Sequence, residues 1–228
     1  MKNVGFDTEE QLVKAIVACT RRAQRRDYRV ELELDAGVGI ADLVLAKRAA
    51  RTTGALRALS SVNPRLAVLL SHGVGSTIST RAALASALGT SDGGAQRVLA
   101  QLSSAGLACG SAKEFSISTV STLPFERVIA VEAKLSEWKR VLVQAYRNLQ
   151  FADESWVVLD HAYVRPALAQ IGRFKSLGVG LASVDCQAGL YIHSAAVFGG
   201  PMSVAKRWQA QAVLAARVVA KRPLLERF

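Results

Sequence analysis

The chain has 228 residues, half of them apolar, and a formal net charge of +11. That length allows one sizeable core, or a core with a small extra module, and that apolar share excludes a disordered chain. The basic excess favours an anionic partner, nucleic acid ahead of an acidic membrane surface.

Cys19, Cys109 and Cys186 are widely spaced, with no C-x-x-C pair. This argues against a disulfide framework or structural zinc and fits a reducing cytoplasm. No apolar run approaches a membrane span, and the start of the chain lacks a signal-peptide core. The expectation is a cytoplasmic protein with no membrane attachment.

A first helix is expected from Thr8 to Arg25, with Leu12, Ile16 and Cys19 as its apolar stripe and acids in its first turn. Glu9 shares the inward face, and Glu10 is rotated away. Arg21, Arg22, Arg25 and Arg26 make a basic patch at its end, a solvated helix terminus or a phosphate-contacting surface. Tyr28 to Asp35 alternates as a strand, with Val30, Leu32 and Leu34 on one face and Glu31, Glu33 and Asp35 on the exposed one. The Gly-rich turn to Gly39 then predicts a hairpin to the strand Ile40–Leu45, whose only acid is Asp42.

Residues 57–118 read as a separate unit. Asn63-Pro64 opens a helix to Leu70, Thr80–Leu88 is a second, and Asp92–Ala105 a third, ended by Gly106. Leu107–Cys109 and Phe115–Ile117 flank a small turn. In the third helix Val98, Leu102 and Ala105 face inward, while Gln96, Arg97, Gln101 and Ser104 face out. Helix, helix-turn-helix and two-stranded wing together resemble the winged-helix DNA-binding module. That resemblance implies that Gln96, Arg97 and Gln101 meet base edges; a helical protein-binding module is the alternative.

Val128–Lys134 is a buried strand whose period of two points Glu132 and Lys134 to the same side. Charges in such a strand are costly unless a metal, a phosphate or a partner compensates them. A helix follows from Trp138 to Phe151, carrying Gln144 and Asn148, and then the strand Trp156–Leu159. Arg165–Leu177 is expected as a helix, Val179–Val184 and Leu190–Phe198 as strands, and Ser203–Lys221 as a closing amphipathic helix. His72, His161 and His193 show no ligand-like spacing and are read as ordinary surface or core residues.

An acidic first helix, Asp42 on one strand, Glu132-x-Lys134 on another and Gln144 on the next helix resemble the PD-(D/E)xK phosphodiesterases, the restriction-endonuclease-like and Holliday-resolvase-like nucleases. Ala41 stands where that family has Pro, and Asn148 where a Tyr often follows the Gln. The resemblance implies an α/β fold, a restriction-endonuclease-like mixed central sheet flanked by helices, with the winged helix inserted. The division is then 1–56 and 119–228 for the core, and 57–118 for the insertion. It implies an Mg²⁺-dependent (or Mn²⁺-dependent) DNA endonuclease. Asp42 and Glu132 would bind metal with the Ala133 carbonyl and Glu9, Lys134 and Gln144 would complete the catalytic set, and Arg21 and Arg25 would contact DNA. The alternatives are a DNA-binding regulator or assembly factor with an inactive core, or a protein–protein adaptor in a larger nucleic-acid machine; a homodimer, or a protein partner in a nucleic-acid-processing complex, is compatible with each.

Overall fold

The computed structural model describes residues 5–22, 27–111 and 113–220. It is mixed α/β, with a six-stranded mixed sheet, a two-stranded sheet and nine α-helices among the described residues. None of those helices is long and apolar enough to cross a membrane.

The chain divides into two compact units. Among the described residues, one takes 5–48 and 125–207 and the other 49–124 and 208–220.

The first unit begins with α1 (Glu9–Arg22). Thr8 caps it by accepting the Gln11 N–H through Oγ1 at 3.2 Å. Its expected continuation to Arg25 lies outside the described residues. Strands β1 (Tyr28–Asp35) and β2 (Ile40–Arg48) form the hairpin, antiparallel from Tyr28↔Lys47 to Asp35↔Ile40. The alternation expected of β1 breaks at Glu31, which is buried and paired with Arg29; Glu33 and Asp35 are exposed as expected, and Glu33 has φ +50°.

The second unit follows with α2 (Thr53–Ser61), a helix the periodicity did not give; the expected boundary at 56/57 falls inside it. Pro64–Leu70 is a 3₁₀ helix and not an α-helix, with the Asn63 side chain accepting from the Arg65 N–H. Then come α3 (His72–Gly75), α4 (Arg81–Leu88) capped by Thr80, and α5 (Asp92–Ser104) capped by Ser91. Gly89 ends α4 in the left-handed region at φ +59°, where a Cβ is strained. A Cβ at Gly94 would collide with the Thr90 hydroxyl, so the α4–α5 turn needs glycine there for closeness alone. The inward stripe of α5 is Ala95, Leu99 and Leu102, with Val98 only half-buried, one position round from the expected stripe. Strands β3 (Ala108–Gly110) and β4 (Phe115–Ile117) pair antiparallel as the small sheet.

The chain returns to the first unit through β5 (Phe125–Lys134), α6 (Trp138–Asn148) and β6 (Glu154–Asp160). The expected helix 165–177 is broken near Ala169–Gln170 into α7 (Arg165–Leu168) and α8 (Ile171–Ser176). Strands β7 (Gly180–Val184) and β8 (Leu190–Ser194) complete the sheet, β8 ending sooner than expected. The closing helix α9 (Val204–Val219) contributes its residues from Trp208 onward to the second unit.

The large sheet has the order β1-β2-β5-β6-β7-β8. Strands β5, β6 and β7 are parallel because helices carry the chain back between them; the outer pairs are antiparallel. One face packs on α1 through Leu12, Ile16, Leu43, Val131, Ala133 and Val158. The other packs on α6, α7 and α8 through Val141, Ala145, Val157, Leu159, Phe174 and Leu181. With both faces covered, a charge in the buried run of β5, from Val128 to Ala133, sits in low dielectric. At the amino end of β5 and β6, the buried Arg207 meets this cost by reaching Asp153 at 2.8 Å and the carbonyls of Phe151 and Phe125.

Candidate functional site

The carboxyl end of β5 is where a buried charge is least compensated. Strands β2 and β5 pair antiparallel through Leu43↔Val131, and one further step of that register sets Asp42 opposite Glu132. Cross-strand neighbours share a face, so two residues 90 positions apart become adjacent carboxylates.

Glu132 is 1% exposed. Its Oε1 accepts a hydrogen bond from Asn148 Nδ2 at 2.6 Å, and its Oε2 is buried with no hydrogen-bond partner. Asp42 Oδ2 accepts the Ala133 N–H at 2.8 Å, which fixes the carboxylate against the strand. Lys134 Nζ lies 3.6 Å from Asp42 Oδ2 and donates to Glu9 Oε2, in the first turn of α1, at 2.8 Å. Gln144 sits one helical turn before Asn148 on the same side of α6, and its Oε1 is also buried without a partner. Ala133 thus enters the site through its N–H, and Glu9 through Lys134.

The electrostatics follow from that geometry. Burial first, and the neighbouring Asp42 charge second, push Glu132 up to about 7, against the opposing pull of Asn148 and Lys134. A proton on Glu132 would be shared with Asp42 and would satisfy the orphaned Oε2. Burial alone pulls Lys134 down, but its hydrogen bond to Glu9 and the charges of Asp42, Glu9 and Glu132 outweigh this and leave it above the ordinary lysine value. Lys134 is therefore a fixed ammonium at neutral pH.

Buried acceptor oxygens without donors call for a cation or a proton. Hard carboxylate oxygens suit Mg²⁺ or Mn²⁺, and Mg²⁺ is commonly held by one or two carboxylates while keeping several waters. Asp42 and Glu132 fit that requirement. Among the described residues no group of three or more His, Cys, Asp or Glu is arranged to hold a metal ion, and the expected third carboxylate, Glu9, faces Lys134 instead.

The other expected contact residues lie elsewhere. Gln96, Arg97 and Gln101 are all exposed on α5. Asp92, whose charge at the helix start would repel phosphate, is paired with Arg81 at 2.9 Å. Arg21 is exposed in the last turn of α1, and Arg25 lies outside the described residues.

Two features escaped the sequence reading. Asn148 looked like a departure from a motif, yet it holds Glu132; its spacing of four from Gln144 was the available signal. His161 and His193, read as ordinary, converge on the fully buried Ser183, with Ser183 Oγ 2.8 Å from His161 Nδ1 and 2.8 Å from His193 Nε2. Tyr191 lies against the His161 ring, centroids 4.3 Å apart, and its hydroxyl donates to Asp185 at 2.9 Å. These residues come from the ends of β6, β7 and β8, and no sequence spacing announces them.

Comparison with protein families, with curated proteins and with solved structures finds no match for this chain.

Proposed function

We propose that this chain is a metal-dependent DNA endonuclease of the PD-(D/E)xK kind, with a restriction-endonuclease-like core and an inserted winged helix. The observation that carries this reading is Glu132, buried beside Asp42, gripped through one oxygen by Asn148 and left open at the other. No structural need of the sheet explains a carboxylate kept there at such cost.

In this reading Asp42 and Glu132, with the Ala133 carbonyl, would hold Mg²⁺ or Mn²⁺. When bound, such an ion supplies an acidified water and screens the phosphate charge. Glu132 is half-protonated near neutral pH in the metal-free protein, so it is available as a carboxylate once a cation replaces its proton. Lys134, already an ammonium, serves as a positive charge for the developing phosphorane and not as a proton acceptor. Gln144 carries a free acceptor oxygen that can orient a water. Capped α4, the tight turn at Gly89, capped α5 and the β3–β4 hairpin support the winged-helix assignment. The exposed Gln96, Arg97 and Gln101 are then its base-reading side chains.

A second reading, a DNA-binding regulator whose core does not cut, draws on the Glu9–Lys134 ion pair, which occupies the catalytic amine. Supercoiled plasmid incubated with Mg²⁺, Mn²⁺ or chelator separates the two. The nuclease predicts nicking that chelator stops and that Asp42→Ala and Glu132→Ala each abolish with the fold intact. An uncut plasmid with either metal, or full cleavage by both variants, rejects the nuclease.

A further inference from the structure

The helices α6, α7 and α8 cover one face of the large sheet, and their charge is entirely of one sign. They carry Lys139, Arg140, Arg147, Arg165, Arg173 and Lys175, six cations, and no acid. All six are exposed. The acids nearest in sequence are otherwise engaged. Asp153 pairs with Arg207, Glu154 with Arg127, and Asp160 accepts the N–H groups of Phe6 and Ala162. Among the described residues only Glu137, at the start of α6, reaches one of the six, Arg140, and at 3.8 Å. Helix α1 on the opposite face carries both signs, Glu9 and Glu10 against Lys14, Arg21 and Arg22.

Six like charges on three packed helices repel one another, and within the described residues little offsets that cost. Lys139 and Arg173 lie over the Trp138 ring, 5.8 and 6.0 Å from its centroid, which fixes two of them on a rigid base. Tyr146 on α6, next in sequence to Arg147, is exposed as well. The apolar stripe of α6, Val141, Leu142 and Ala145, is buried in the core, and its exposed large apolar side chains are Val143 and Tyr146, too few for a broad apolar face to lay into a lipid surface. The same helix carries Gln144 and Asn148 on its inner side, so the basic layer is built directly over the Glu132 site.

We infer that the outer face of α6–α8 docks the phosphodiester backbone of a DNA duplex, as a contact surface separate from the α5 and Arg21 contacts. Recognition here is of charge and not of sequence, since arginine and lysine meeting phosphate carry no base information. This inference deepens the nuclease reading by assigning its substrate a docking face, and it rests on that reading for the duplex as occupant.

The test is fluorescence anisotropy with a labelled duplex of about 20 base pairs of arbitrary sequence, in chelator, across a salt titration. The triple variant Arg140→Ala/Arg147→Ala/Arg173→Ala should bind about tenfold or more weakly near 0.1 M salt. Its log–log salt slope should flatten by about 0.9 per lost phosphate contact. The corresponding triple lysine variant should retain most of the binding. Unchanged affinity and slope in the alanine variant overturn the docking face, because DNA is then held elsewhere. A wild type that ignores duplex but binds phosphatidylserine vesicles through the same residues overturns it in favour of a membrane. An uncut plasmid in the metal assay, alongside variant-sensitive duplex binding, removes the nuclease reading and leaves the docking face standing.

Discussion

Glu132→Gln tests the physical basis of the site without relying on activity. In the folded, metal-free protein the carboxyl ionises near 7, against an ordinary 4.5. The folded state therefore binds a proton that the unfolded chain releases as pH rises between those values, and stability falls across that window. Below 4.5 the group is protonated in both states, and above 7 it is ionised in both, with the full cost of a buried carboxylate paid. At about 1.4 kcal/mol per pH unit, that cost is about 3 kcal/mol. Glutamine removes it with little change of shape. Its carbonyl can still accept from Asn148, and its amide can donate to Asp42. In chelator at pH 8 the variant should melt higher by about 6–12 °C, at the roughly 2–4 °C per kcal/mol usual for a chain of this size. Near pH 4.5 the two proteins should melt within about a degree of each other. Circular-dichroism melts at both pH values decide it. A variant equally or less stable than wild type at pH 8, or a gap of equal size at both pH values, refutes the assignment of Glu132 as an uncompensated buried carboxylate.

Asn148→Leu should destabilise the metal-free protein by about 1–3 kcal/mol at pH 8, by stripping the last donor from Glu132, and by less at pH 5, measured by urea unfolding. Lys134→Ala should lower cleavage turnover while calorimetry shows Mg²⁺ or Mn²⁺ binding largely retained, since the ammonium is not a ligand. Burial first, and the nearby His161 second, hold His193 below its ordinary value, so its imidazole resonances should titrate below 6.5 by NMR. Because a depressed histidine loses stability as pH falls through its unfolded value, β8 amides should lose protection under acid, measured relative to their intrinsic exchange rates at each pH. Arg97→Ala should weaken binding to a preferred duplex by about 1–3 kcal/mol, whereas Arg21→Ala should weaken binding to all sequences alike, as competition titrations would show.

Local chemistry was legible in the sequence. The period of two on β5 put Glu132 and Lys134 on one side, and Gly106, in the left-handed region, marked the end of α5. These signals depend on residues within a turn or two of one another, which is the range over which backbone hydrogen bonds and side-chain periodicity act. What lies beyond that range was decided only by packing. The antiparallel register of β2 on β5 made neighbours of Asp42 and Glu132, and the seating of α6 on β5 and β6 turned Asn148 from a broken motif into the residue that orients Glu132. The pairing with Arg29 went with burial of Glu31 against its alternation pattern, and the meeting of β6, β7 and β8 gathered His161, Ser183 and His193. The sequence determined which carboxylates and amines the strands would carry. Only the tertiary structure decided which of them lost their water together, because desolvation belongs to the packed layers and not to any single segment.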